Sequence, residues 1–254
     1  IQAKKKNGDI IIIPCTLSCS LVLEAETLIE DALADVGKSR YIIMDDEFSD
    51  ARTIAAYARK VLNLDSSVYL RFGQPLDCLG NNVNKKGISL DSKGREINRL
   101  EYLCDRDGNL VLDPQRDKEY TNRLADSIVA SYKKNNIILP THIAGFAAWK
   151  LLGKRYPRLD TVQKALLTKE ERTFSRTELL RAMDRIQCQV LELVKQEICC
   201  AELPRSSIET ARIALERFAS FHRKQAFQLI GSEHILVNAK LALYYGNRLD
   251  SYPI

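Results

Sequence analysis

Four consecutive β-branched residues, Ile10-Ile11-Ile12-Ile13, stand between Asp9 and Pro14. Such a run has no polar face to offer water. It predicts a strand over Asp9 to Pro14 covered on both sides, the kind found inside a parallel sheet. Leu21 to Val36 reads as a helix stopped by Gly37, and Tyr41 to Met44 as a short strand. Ser49 or Asp50 then caps a helix whose apolar face is Ile54, Tyr57, Ala58, Val61 and Leu62. Val68 to Phe72 alternates and ends at Gly73 and Pro75, as a strand would. Strand, helix, helix, strand is the order of an α/β sheet with crossover helices.

Composition agrees with a packed fold. The 254 residues are 45% hydrophobic and 28% charged, which excludes the disordered and low-complexity classes. Lys and Arg outnumber Asp and Glu by 38 to 33, a net charge of +5. That excess suits contact with phosphates or lipid headgroups, but falls short of the basic footprint of a nucleic-acid binder. The seven cysteines are odd in number and form no Cys-x-x-Cys pair, so free thiols in a reducing compartment are expected. Lys4-Lys5-Lys6 precedes only a short apolar stretch, and the runs Ile10 to Ile13 and Ile143 to Trp149 fall far short of the ~18–20 residues of a membrane span. A cytoplasmic chain, peripheral on the membrane at most, is the expectation. The first residue is Ile1 rather than Met, which suggests a portion of a larger protein.

After the first α/β segment comes a polar stretch, Asp77 to Asn98, read as a subdomain boundary or insertion. The chain is therefore expected to divide into an α/β part, residues 1–98, and a mainly helical part, residues 99–254. No internal repeat is evident. Tyr102-Leu103-Cys104 and Leu110-Val111-Leu112 flank the hairpin signal Asp107-Gly108-Asn109. From Asp117 the pattern is helical, with Leu124, Ile128 and Tyr132 on one face. Thr141 to Leu152 is apolar nearly all round and reads as a core helix. Ser175 and Glu178 form a capping box, followed by the stripe Leu179, Met183, Ile186, Val190 and Val194. Ser206 or Ser207 caps a helix with face Ile208, Ala211, Leu215 and Phe218. Phe227 to Ile230 and His234 to Asn238 predict a hairpin, and Leu241 to Leu249 a closing helix.

Candidate chemistry is sparse. His142 follows Pro140 at the start of an apolar helix and reads as a cap or a satisfied core histidine. His222 and His234 flank the hairpin and read as surface residues. Asp105-x-Asp107-x-Asn109 resembles a calcium loop, but Leu110 stands where Gly is needed and Arg116 where Glu is needed. A turn accounts for it better. No phosphate-cradling glycine loop occurs, and neither a metal nor another cofactor is expected. The basic doublets Lys85-Lys86, Lys133-Lys134, Lys154-Arg155 and Arg223-Lys224 read as solvated ends that together favour an anionic membrane surface. Two helices followed by a hairpin also outline a winged-helix module, although its groove-facing helix, Ile208 to Phe218, is only lightly basic.

Several segments resemble one family, in order. Gly8 to Cys15 is similar to the Ile-x-x-Pro strand, the fourth conserved block of the glycerolipid acyltransferases. Tyr69-Leu70-Arg71-Phe72-Gly73-Gln74-Pro75-Leu76 resembles the strand that follows it. Pro140 to Ala144, Phe174 to Leu179 and Leu243 to Leu249 look like the C-terminal region of bacterial glycerol-3-phosphate O-acyltransferases of the large PlsB type.

The resemblance implies transfer of an acyl group from acyl-CoA or acyl carrier protein to the sn-1 hydroxyl of glycerol 3-phosphate. A His-x-x-x-x-Asp motif supplies the base and its orienting carboxylate. This chain departs from that pattern. Five positions after His142, His222 and His234 stand Ala147, Phe227 and Ala239, and the first three blocks have no counterpart. Only Ile13 and Pro14 carry over, as residues lining the substrate cleft. The expectation is the C-terminal portion of such an acyltransferase, inactive alone. A winged-helix nucleic-acid binder or a protein-interaction scaffold is the alternative.

Overall fold

The computed structural model describes residues 10–22, 24–35, 67–221 and 225–254. The strand expected at Tyr41 to Met44, the helix expected around Ile54 to Leu62, and His222 lie outside them. The chain mixes helices with small sheets and closes in a mainly helical part. Its contacts divide it into two units. The first comprises residues 1–17 and 69–136, the second residues 18–68 and 137–254. Residues 99–136, grouped with the helical part by sequence, belong to the first unit.

Strands β1 (Cys15–Cys19) and β2 (Val68–Phe72) pair. The isoleucine run differs from its expectation. It lies ahead of β1 and, among the described residues, joins a strand through Ile12, bridged antiparallel to Leu76. Ile10, Ile11 and Ile13 are exposed, so the run is not covered on both faces. Pro14, which has no amide hydrogen to give a ladder, separates the bridge at Ile12 from β1.

The stretch read as a boundary is a regular meander. Bridges at Leu76–Asn82 and Leu90–Glu96 flank the antiparallel pair β3 (Asn82–Val83) and β4 (Ser89–Leu90), so one row runs Ile12, Leu76, Asn82, Leu90, Glu96. Its turns repeat every seven residues, at Asp77, Asn84, Asp91 and, fourteen residues on, Asp105. In each, the side-chain oxygen accepts the amides two and four residues ahead, as Asp91 Oδ1 does from Lys93 at 2.8 Å and Arg95 at 2.9 Å. The fourth residue is always glycine at positive φ, between 77° and 82° at Gly80, Gly87, Gly94 and Gly108. The missing unit starts at Asn98, which also caps the amide two ahead, Leu100. Glu101 stands where glycine is required, and the chain turns instead into a 3-10 helix, Arg99–Leu103. An internal repeat is therefore present.

Helix α2 (Pro114–Asn135) opens with Asp113, whose carboxylate accepts the Gln115 and Arg116 amides. It lies on the first turn of the meander: Arg123 donates to Asn81 Oδ1 at 2.7 Å and Ser127 to the Gly80 carbonyl at 3.1 Å. None of its side chains is buried.

The second unit holds the main core. Helix α1 (Ala25–Asp35) buries Ala25. Helix α3 (Pro140–Arg155) is apolar on nearly all sides and is buried along most of its length, as its sequence requires. Short β5 (Ile137–Ile138) precedes it and pairs parallel with β7 (Cys200–Ala201). After the one-turn α4 (Thr161–Ala165), strand β6 (Thr173–Ser175) leads into α5 (Arg176–Lys195). Ser175 caps α5 by accepting the Glu178 amide at 3.1 Å, and Leu179, Met183, Ile186 and Val190 are buried.

Helix α6 (Ser207–Phe221) buries Ala211, Ala214 and Phe218, while Ile208 is 71% exposed. The expected stripe is rotated: small Ala214 faces the core in place of Ile208. The hairpin of β8 (Phe227–Ile230) and β9 (His234–Val237) forms as expected, with Gly231 at φ 62°. β9 also takes up β6, giving the sheet order β6-β9-β8. Helix α7 (Ala239–Gly246) closes against α3, with Phe218 packed on Tyr245 at 4.9 Å between ring centroids. Taken in order, α3, β6, α5, α6 and the β8–β9 hairpin run helix, strand, helix, helix and hairpin, with α4 between α3 and β6, β7 between α5 and α6, and β6 at the edge of the sheet.

Candidate functional site

Ile13 and Pro14, the residues singled out as cleft-lining, sit where the two motif strands meet. Ile12 and Leu76 exchange both backbone hydrogen bonds at 2.8 Å, and the Gly73 amide donates to the Pro14 carbonyl at 2.7 Å. The Ile-x-x-Pro block and the Phe-Gly-Gln-Pro-Leu block, about sixty residues apart, are thus adjacent. Pro14 is buried and Ile13 is 53% exposed.

Gly73 also faces α2 closely. A Cβ there would collide with the Ser131 hydroxyl of α2 and lie 3.2 Å from Asn135 Nδ2. On the other side Gln74 donates to the Val83 carbonyl at 3.0 Å, tying the second block to the meander. Around the junction Ile10, Ile11, Leu17, Leu70 and Phe72 are exposed with Ile13, making an apolar strip. Within the first unit, Leu76, Leu79 and Val83 are buried together with Pro14. The six side chains of the strip are all apolar and carry no titratable group.

His142 is the other residue of interest. It is buried, and both ring nitrogens are used. Nδ1 accepts the Leu139 amide at 3.2 Å, so Nε2 carries the proton and donates to the Cys19 carbonyl at 3.3 Å. Burial pushes its pKa down to about 3, the positive charge of Arg248 pushes the same way, and the bond to Cys19 partly opposes both. The ring is a neutral helix cap, as the sequence suggested, with no carboxylate among the partners shown for it. His234 is exposed on β9 opposite Ser175.

The acidic turn at Asp105 is equally self-contained. Its carboxylate accepts the Asp107 and Asn109 amides, both at 2.9 Å. No group of three metal-ligating side chains occurs among the described residues. The seven cysteines are free, and burial raises the Cys199 thiol to about 11, well away from a reactive thiolate.

The seven-residue repeat is the feature that sequence reading missed. Its signal was present as Asp or Asn at 77, 84, 91, 98 and 105, with glycine three residues on at all but 98. No described helix is long and apolar enough to cross a membrane. No protein-family model and no curated protein matches the chain.

Proposed function

We propose that this chain is the C-terminal portion of a glycerol-3-phosphate O-acyltransferase. In that reading an acyl group passes from acyl-CoA or acyl carrier protein to glycerol 3-phosphate, the first acylation of phospholipid synthesis. The observation that carries it is the junction of the two motif strands, through Ile12–Leu76 and Gly73–Pro14. Two segments that resemble consecutive strands of one family sheet are hydrogen-bonded to each other. Ile13 and Pro14 line the substrate cleft, and the apolar strip beside them packs against strands carrying the family's His-x-x-x-x-Asp block. The chain alone is inactive, because His142 is a cap without a carboxylate. It lies peripherally on anionic membrane, held by exposed lysines such as Lys85, Lys86 and Lys154.

The test is acyl transfer with the chain alone and with the chain joined to an upstream segment carrying His-x-x-x-x-Asp. The joined protein transfers acyl groups, the chain alone does not, and Ile13→Asp lowers turnover of the joined form. Turnover by the chain alone, lost in His142→Ala, sinks the reading. Binding to phosphatidylglycerol vesicles at low salt, reversed at high salt, checks the membrane part.

The helix, strand, helix, helix and hairpin order in the second unit favours a second reading, a scaffold for protein contacts. It does not favour nucleic acid. On α6 the acids Glu209 and Glu216 balance Arg212 and Arg217, and both acids hold Arg212 at N–O distances of 2.6 Å, so the helix offers phosphate no basic excess.

A further inference from the structure

We propose that the second unit holds a binding site for a single-chain fatty acid, independent of the acyltransferase reading. A cavity of about 280 Å³ opens where α3, α5, α6 and the β8–β9 hairpin converge. Its floor is Ala144, Leu179, Met183, Ala211, Phe227 and Ile235, all buried and all without polar side-chain atoms able to hold water. A concave, mostly apolar pocket with a few polar groups at its edge is the usual form of a small-ligand site. Its volume lies just under the usual range of ligand pockets, roughly 300–1,000 Å³, which suits one acyl chain and is too little for a two-chain lipid.

The mouth selects the head group. Arg176, Arg212 and Glu216 lie there beside exposed Ile208. Arg212 is already held by two carboxylates, with bonds of 2.6–2.9 Å to Glu209 and 2.6–2.7 Å to Glu216. Arg176 has no side-chain partner among the described residues. It is the cation left to receive an anion. An apolar tail with a carboxylate at the Arg176 side satisfies both parts of the site.

Titration of the full chain with cis-parinaric acid below its micellar concentration tests this, with dodecanoate and dodecanol as competitors. Parinarate binds saturably at one site and dodecanoate displaces it. Arg176→Gln, a change on the exposed surface, weakens dodecanoate about tenfold and leaves dodecanol unchanged. Ala211→Leu, which fills the floor, abolishes both, with thermal unfolding showing that the variant is folded. The proposal falls if the native chain gives no saturable binding, or if Arg176→Gln leaves dodecanoate competition unaltered. It also falls if an amphipathic helical peptide displaces the probe while dodecanoate does not, since the groove then serves a protein partner. None of these readings involves acyl transfer, so failure here leaves the acyltransferase test standing.

Discussion

Gly145 on α3 and Gly246 at the end of α7 meet backbone to backbone. A Cβ on Gly145 would lie 2.9 Å from the Gly246 amide nitrogen and 2.8 Å from the Ala242 carbonyl. The reverse holds too: a Cβ on Gly246 would lie 2.8 Å from the Phe146 nitrogen. Neither neighbour is a side-chain tip that can swing aside, so the two helices would have to separate. Gly145→Ala is therefore expected to cost about 1–3 kcal/mol in urea unfolding, as overpacked cores do. Gly153, on the same helix, has only the Lys164 ammonium at 4.0 Å. Gly153→Ala should stabilise by about 0.5–1 kcal/mol through helix propensity. Equal signs for the two variants would contradict the close approach.

Stability should fall in mild acid because of His142. Its folded pKa, about 3, lies below the ordinary value of 6.5. Between those limits the unfolded chain binds a proton that the folded chain does not. The contribution is complete above pH 6.5 and is lost as pH falls toward 3, at up to about 1.4 kcal/mol per pH unit. Urea titrations at pH 7, 6 and 5 should show this slope, and His142→Gln should flatten it. An unchanged slope in the variant would place the effect elsewhere.

The repeat glycines should rank by surroundings. Gly94 and Gly108 share the left-handed φ, but an added Cβ meets nothing within 4 Å, so alanine there costs only the backbone penalty of about 1–2 kcal/mol. Gly80 has the same φ and also lies 3.0 Å from the Leu124 backbone of α2. Gly80→Ala should cost more than Gly108→Ala in the same unfolding assay. A reversed order would mean that α2 does not rest on this turn.

Hydrogen exchange should separate α2 from α3. Helix α2 is the longer, with a good Asp113 cap, yet buries no side chain. Helix α3 buries eleven. Protection follows burial more than length or capping, so amides over 114–135 should exchange well before those over 140–155. Comparable protection in both would show that α2 gains cover in solution.

The sequence announced the elements whose side chains settle their own environment. The all-round apolar pattern of α3, the Ser175 cap and the Phe227–Val237 hairpin appear where their residues say they should. His142 was legible for the same reason, since a histidine two residues after Pro140 has an amide within reach. The isoleucine run was misleading because burial depends on neighbours a pattern cannot supply, and here, among the described residues, Ile12 alone of the run finds a strand. Residues 77–98 misled because polarity looks like a loop. The order there is carried by Asx side chains closing turns on their own backbone, which hydrophobic periodicity does not register. The meeting of Pro14 with Gly73, across about sixty residues, leaves no periodic signal in the sequence.

Each seven-residue unit of the meander contains one reversal of the chain. Loss or duplication of a single unit would send the following segment out in the opposite direction and misplace α2. Loss or duplication of two units, fourteen residues, restores the heading. Length variation in this region should then be tolerated in steps of fourteen rather than seven, with the unit at Asn98, which lacks its glycine and coils instead, marking where the strict alternation already gives way.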